Sequence, residues 1–270
     1  MSVHLTTRTV EKPWGVDDLP EPFSTPEGKR IGEIWFEPPA ALDQLLVKYL
    51  FTSEKLSVQV HPNDAQALER TGKREGKEEC WLIVGCEPGA KIAIGFEEAI
   101  DGAPMRTAAE DGSIEQRMRW FDVEPGDFFY IPANTVHAIG AGCSLIEIQQ
   151  NSDITYRLYD YGRPRELHLD EAVSVAKGEP HPADLRRHVE DTGEITLVDG
   201  PLFRLDRLDG PASPRVTDRY SGRFLAIPVT GEVEVDGETI AAGQCALVPG
   251  WSSLSITADS KVLIAQPLSS

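Results

Sequence analysis

Between Leu56 and Pro62 the chain alternates, with Ser57, Gln59 and His61 on one side and Val58 and Val60 on the other. A period of two predicts a strand with one dry face and one polar face. A buried imidazole and amide are costly unless they find partners, so this strand directs attention to what else could face it. Upstream, Leu45 to Phe51 is an apolar run broken only by Lys48. It predicts a buried strand in which Lys48 either turns into a site or snorkels out from a sheet edge. Downstream, Asn63 reads as an N-cap for a helix over 64–70 that ends near Gly72, followed by a polar loop over 73–76.

The same alternation marks further strands at Ile31–Phe36, Glu79–Val84, Lys91–Gly95, Trp120–Val123, Asp127–Ile131, Ser144–Gln149 and Thr155–Tyr161. Lys12-Pro13-Trp14-Gly15 reads as a turn, 97–119 as helix or loop, and Leu169–Lys177 as a short amphipathic helix. Gly178–Glu194, rich in proline and charge, reads as a linker, and a second set of short strands runs from Thr196 onward. Strands at this spacing, punctuated by Gly and Pro, predict a mainly β protein built from barrels or sandwiches. Gly126, Pro132 and His137 are echoed at the same intervals by Gly243, Pro249 and Leu254. The echo predicts a duplicated barrel, with domains at 1–190 and 191–270 and no metal ligands in the second copy.

Composition narrows the function. With 270 residues and a formal net charge of −18, the chain is poorly suited to nucleic acid or to an anionic membrane. An anionic substrate would need a local cluster of cations inside an acidic shell. The four cysteines, Cys80, Cys86, Cys143 and Cys245, form no CxxC pair and predict free thiols. No apolar leader and no membrane-length run is present, so a cytoplasmic protein is expected. Nothing in the pattern specifies an oligomeric state.

Of the histidines, only His61 and His137 fall in strand-and-turn settings typical of a site. Lys77, Glu79 and Trp81 share a strand face. If these strands are neighbours in a small barrel, Gln59, His61, Glu79 and His137 all project inward. Two imidazoles, a carboxylate and an amide oxygen suit a divalent ion such as zinc. Trp81 reads as core, Cys80 as facing away from Glu79, and Asp153, Arg163 and Arg165 as solvated or structural charges of a turn. Glu147 admits a structural pairing with Arg157.

The segment from Gly126 through Pro132 to His137 resembles the second motif of the cupin superfamily, with Asn134 where glycine is usual. Leu56–Pro62, Lys77-Glu78-Glu79-Cys80-Trp81, Glu147-Ile148-Gln149, Ser152–Arg157 and Leu167-His168-Leu169 are similar, in order, to segments of type I mannose-6-phosphate isomerases. The resemblance covers about residues 10–175. It implies two tandem cupin (jelly-roll-like) β-barrels with a few short helices, and a metal-dependent interconversion of mannose 6-phosphate and fructose 6-phosphate through an enediol-type intermediate. It places one Zn2+ on Gln59, His61, Glu79 and His137. Ser57, Lys48 and Lys77 fall near the sugar phosphate, and Glu147 and Arg157 at positions tied to catalysis. Glu147 and a Lys77 of depressed pKa are alternative bases, and Lys48 and Arg157 alternative phosphate ligands. Two departures are Glu78, which adds a charge beside a ligand, and a length with no room for a large helical domain. The competing readings are a metal-containing sugar-phosphate sensor without catalysis and a cupin isomerase for another sugar phosphate.

Overall fold

The computed structural model describes residues 3–74, 76–189 and 192–268. It is mainly β. In chain order the first strands are β1 (Thr7–Val16), β2 (Ile31–Phe36), β3 (Leu45–Phe51), β4 (Val58–Val60), β5 (Glu79–Cys86), β6 (Lys91–Phe96), β7 (Met118–Asp122), β8 (Asp127–Ile131), β9 (His137–Ile139), β10 (Cys143–Gln150), β11 (Tyr156–Tyr159) and β12 (Arg186–His188). They form a seven-stranded sheet, β1-β2-β3-β10-β5-β8-β12, and a five-stranded sheet, β11-β4-β9-β6-β7. The layer between the two is filled by Trp14, Leu50, Trp81, Ile83, Ile92 and Leu145 among others.

Helix α1 (Asp64–Thr71) follows β4 directly; α2 (Gly102–Asp111), α3 (Ile114–Arg117) and α4 (Leu169–Val175) cover the outside of the five-stranded sheet. Val58 and Val60, the dry face of β4, lie under these helices and are fully buried. Asn63 caps α1 as expected. Its side chain accepts from Gln66 N while Gln66 Oε1 accepts from Asn63 N, and Gly72 ends the helix in the left-handed conformation. Among the described residues no helix is long and apolar enough to cross a membrane.

The remaining strands are β13 (Ile195–Asp199), β14 (Phe203–Asp209), β15 (Phe224–Thr230), β16 (Glu232–Val235), β17 (Glu238–Ala241), β18 (Ala246–Val248), β19 (Leu254–Ile256) and β20 (Lys261–Pro267). They pair as β13-β14-β20-β15-β18 and β17-β16-β19 around a core that includes Phe224, Val233, Ile240 and Val262. This second unit lies across a face of the first. Val47, Tyr49, Leu82 and Ile146 from β3, β5 and β10 pack against Leu205, Leu225, Ile227 and Leu263. The sheet is thus buried on both faces, the apolar outer face against the second unit and the inner face, which carries Lys48, Glu79, Glu147 and Gln149, toward the five-stranded sheet.

Two expectations give way. Lys12–Gly15 is part of β1, not a turn; Pro13 is tolerated because β1 is an edge strand with an irregular register. The supposed linker is docked: β12 pairs with β8, and Pro180 bridges Gly95. Glu75 of the 73–76 loop and the expected boundary at Glu190 and Asp191 lie outside the described residues. The start of the chain also joins the second unit. Leu5 N donates to Cys245 O and Leu247 N to Val3 O, both at 2.9 Å, and Val3 sits in that unit's core.

Candidate metal centre

Strand register builds the site. Gln59 on β4 is paired directly with His137 on β9 and with Arg157 on β11. Across the interior, Glu147 on β10 lies between Lys48 on β3 and Trp81 on β5, and Gln149 lies beside Glu79. Because side chains alternate along a strand, these rows turn toward each other between the sheets. A left-handed residue shapes the turn before β9: Asn134 has φ 75°, which explains why asparagine can stand where glycine is usual. Its backbone N donates to His61 O at 2.8 Å, tying this turn to the end of β4.

Two carbonyls fix the imidazoles. His61 Nδ1 is 2.7 Å from Ile154 O, and His137 Nδ1 is 2.9 Å from Thr135 O. A carbonyl oxygen only accepts, so each Nδ1 carries the proton and each Nε2 offers a lone pair. Those lone pairs face Glu79: His137 Nε2 lies 3.3 Å from Oε1 and His61 Nε2 3.7 Å from Oε2. Glu79 is fully buried, and among the described residues its Oε1 has no hydrogen-bond partner. Electron-rich groups converging in a dry interior need positive charge among them. Lys77 Nζ supplies some, 2.5 Å from Glu79 Oε2 and 3.2 Å from His61 Nε2.

The donor set fits a small divalent ion. The three ligand atoms all lie within 4.8 Å of one another. Tetrahedral bonds of about 2.1 Å require donors about 3.4 Å apart, and His137 Nε2 stands 3.3 Å from Glu79 Oε1. Gln59 completes the surroundings. Its Oε1 accepts from Ser57 Oγ at 3.1 Å, and its Nε2 lies 3.3 Å from His137 Nε2. Turning the amide over would present Oε1 to the same point.

Glu147 is held apart from the triad. Lys48 Nζ donates to its Oε1 at 2.9 Å and Trp81 Nε1 to its Oε2 at 3.2 Å, while Lys77 Nζ is 3.7 Å away. Lys48 also donates to Gln149 Oε1 at 2.6 Å and lies over the Trp35 ring. It is buried in an interior strand, so it does not snorkel. Glu147 pairs with these lysines and not with Arg157.

The electrostatics follow. Burial drives both imidazoles neutral, with Lys77 adding to the effect; His61 falls well below its ordinary value and His137 falls to about 4. Burial raises Glu79, against the pull of Lys77. Burial would raise Glu147 too, but Lys48 and Lys77 outweigh it and hold this carboxyl below its ordinary range. Lys77 moves up: burial opposes its charge, but Glu147 and Glu79 outweigh burial. A lysine depressed toward neutrality is therefore not what this arrangement produces.

A cavity of about 240 Å³ opens onto these groups, lined by Ser57, Gln59, Lys48, Lys77, Trp81, Glu147 and Arg157. It brings six of the expected site residues, Lys48, Ser57, Gln59, Lys77, Glu147 and Arg157, together with others that the sequence reading missed or set aside: Lys12, Glu33, Trp35, Asp153 and Arg165; His61, Glu79 and His137 lie behind Gln59 and Lys77 and do not line it. Trp81 is core, as expected, yet it also donates to Glu147 and meets the His137 ring edge-on. Cys80 faces away, into the layer beneath the second unit.

Fold and site together define a mainly β protein with a buried His–Glu–His metal-binding triad behind the wall of a charged cavity. No protein-family model matches the chain. The chain is 42% identical over 208 residues to mannose-6-phosphate isomerase ManA of Bacillus subtilis, covering 73% of this chain and 64% of that protein. It is 37% identical over 217 residues to YvyI, a provisionally named mannose-6-phosphate isomerase of the same organism, covering 73% and 68%. A crystal structure of a Bacillus subtilis mannose 6-phosphate isomerase superposes with a TM-score of 0.76 at 25% identity, over 97% of this chain and 98% of that one. The chain belongs to the type I mannose-6-phosphate isomerase family. It spans less than two thirds of ManA's own length.

Proposed function

We propose that the chain interconverts mannose 6-phosphate and fructose 6-phosphate as a metal-dependent aldose–ketose isomerase. The observation that supports this most is the convergence of two imidazole lone pairs and a buried carboxylate, Glu79, next to a cavity carrying Lys12, Lys48, Lys77, Arg157 and Arg165. We take the ion to be zinc, given two imidazoles with oxygen donors, held by Gln59, His61, Glu79 and His137. We read the two β units as tandem cupin barrels, 1–190 with the site and 191–270 without ligands, and the protein as cytoplasmic. The echoed segments fall on comparable units, β8–β9 and β18–β19, with Leu254 at the position of His137.

The reaction opens the sugar ring and moves a proton between C2 and C1, and negative charge builds on the neighbouring oxygens. Bound zinc would supply Lewis acidity at the carbonyl oxygen. Glu147 is ionised, and its position is fixed by Lys48 and Trp81, so it takes the carbon-bound proton and returns it one carbon away. Lys77 keeps its proton and stabilises charge on the oxygens beside the triad. Ser57 orients Gln59 through its hydroxyl, and Arg157 remains a permanent cation for the anionic substrate.

Incubating fructose 6-phosphate with the protein in heavy water tests this. Mannose 6-phosphate should form, stop forming after chelation and resume with added zinc. Absence of product from protein with verified bound metal would favour a sugar-phosphate sensor instead.

A further inference from the structure

We propose that Arg165, beside Arg157, recognises the phosphate and sets the preference for phosphorylated over free sugars. The identity of the sugar rests on the isomerase reading; the recognition of phosphate does not.

Lys12, Lys48, Lys77, Arg157 and Arg165 line the cavity. Lys12 is paired with Glu33 at 3.2 Å. Lys48 is committed to Glu147 and Gln149, and Lys77 to Glu79 and His61. That leaves the two arginines. Arg157 Nε is buried and has no hydrogen-bond partner among the described residues. Arg165 is anchored along one edge, with Nε 2.6 Å from Asp160 Oδ2 and Nη2 2.7 Å from Asp160 Oδ1. That leaves Nη1 off the carboxylate. Asp160 is buried and also serves Arg163, at 2.8 Å from its Nη2. One carboxylate thus holds two guanidiniums in a turn that carries a third nearby. Arg165 is close enough to Arg157 to add to the effect of burial in destabilising its charge.

Two guanidiniums with surplus donors at a polar cavity form a fork for a dianionic, tetrahedral group. In a chain of net charge −18, long-range attraction does not bring a phosphate in, so a local surplus must. The lysine that resembles a phosphate ligand, Lys48, is spent on positioning Glu147. Arg163 gives an internal control. It shares Asp160 but turns to Lys55 O at 2.7 Å and is not part of the cavity wall.

The test is calorimetric titration of inorganic phosphate into the metal-loaded full chain, for wild type, Arg165→Gln, Arg165→Lys and Arg163→Gln, alongside steady-state kinetics on mannose 6-phosphate and mannose. Arg165→Gln should weaken phosphate about tenfold, raise KM for the sugar phosphate while sparing kcat, and narrow the preference over mannose. Arg165→Lys should recover part of the loss, and Arg163→Gln should bind phosphate as wild type does. Equal phosphate affinity in Arg165→Gln and wild type, an equal loss in Arg163→Gln, or no binding to wild type would overturn the proposal. Arg165-dependent phosphate binding without any isomerisation would uphold it while removing the isomerase reading.

Discussion

At His61 and His137, one backbone carbonyl each decides which nitrogen is free, and so makes the pair ligands instead of hydrogen-bond donors. The inward side chains were legible in the sequence, because a period of two and the placement of only two histidines in such strands leave few arrangements. Arg165 was not. Its place depends on Asp160 being buried, and a run of Asp, Arg and Gly reads as a solvated turn. The imidazoles also carry a pH signature. Unfolded, each has a value near 6.5; folded and free of metal, His137 sits at about 4 and His61 well below normal. Between those values the unfolded chain takes up protons that the folded chain refuses. Stability is therefore full above about pH 6.5 and is lost as pH falls. Glu79, raised by burial, acts in the opposite sense over the upper part of that window. Two imidazoles against one carboxylate leave the imidazole sense in excess, so stability falls between pH 7 and pH 5. Urea melts of chelated protein at pH 7 and pH 5 check this; equal or greater stability at pH 5 contradicts it.

At the scale of elements, short pieces are held in place by their ends. Strand β4 is three residues long, yet it stays in register because the capped start of α1 and the Asn134 turn both grip the segment that follows it. Asn134 Nδ2 donates to Gln66 Oε1 at 2.7 Å, joining turn to helix. The cap was readable from Asn63 alone, since its chemistry is local. The strand character of Lys12–Gly15 and the docking of β12 were not, because both depend on which sheet edge happens to be open. Asn134→Val places a β-branched residue at φ 75° and removes the side-chain link. It should destabilise the fold by about 2–3 kcal/mol, whereas Asn134→Gly should retain the turn. Chemical denaturation of both variants decides; an unchanged midpoint for the valine variant would show that the turn does not grip β4.

For the whole molecule, the decisive feature is a sheet buried on both faces, one against the site and the other against the second unit. Alternating apolar runs predicted the strands but not their partners, since hydrophobic pattern tells that a face is covered and not by what. The second unit then contributes stability to the first across a layer that includes Leu263, fully buried between them. Leu263→Ala should cost about 2–5 kcal/mol and leave the metal content of the folded fraction unchanged. Denaturation and metal analysis together test this, and loss of metal at full stability would show that the second unit acts on the site directly.

Isomerisation at this site requires a divalent ion at the buried triad. Anomalous diffraction at the zinc edge, from crystals of the zinc-loaded protein, tests that most directly. The expected result is a single peak about 2.0–2.2 Å from His61 Nε2, His137 Nε2 and a Glu79 oxygen. No peak there, or a peak only at the surface group of Glu124, half-buried Asp127 and His188, would contradict it.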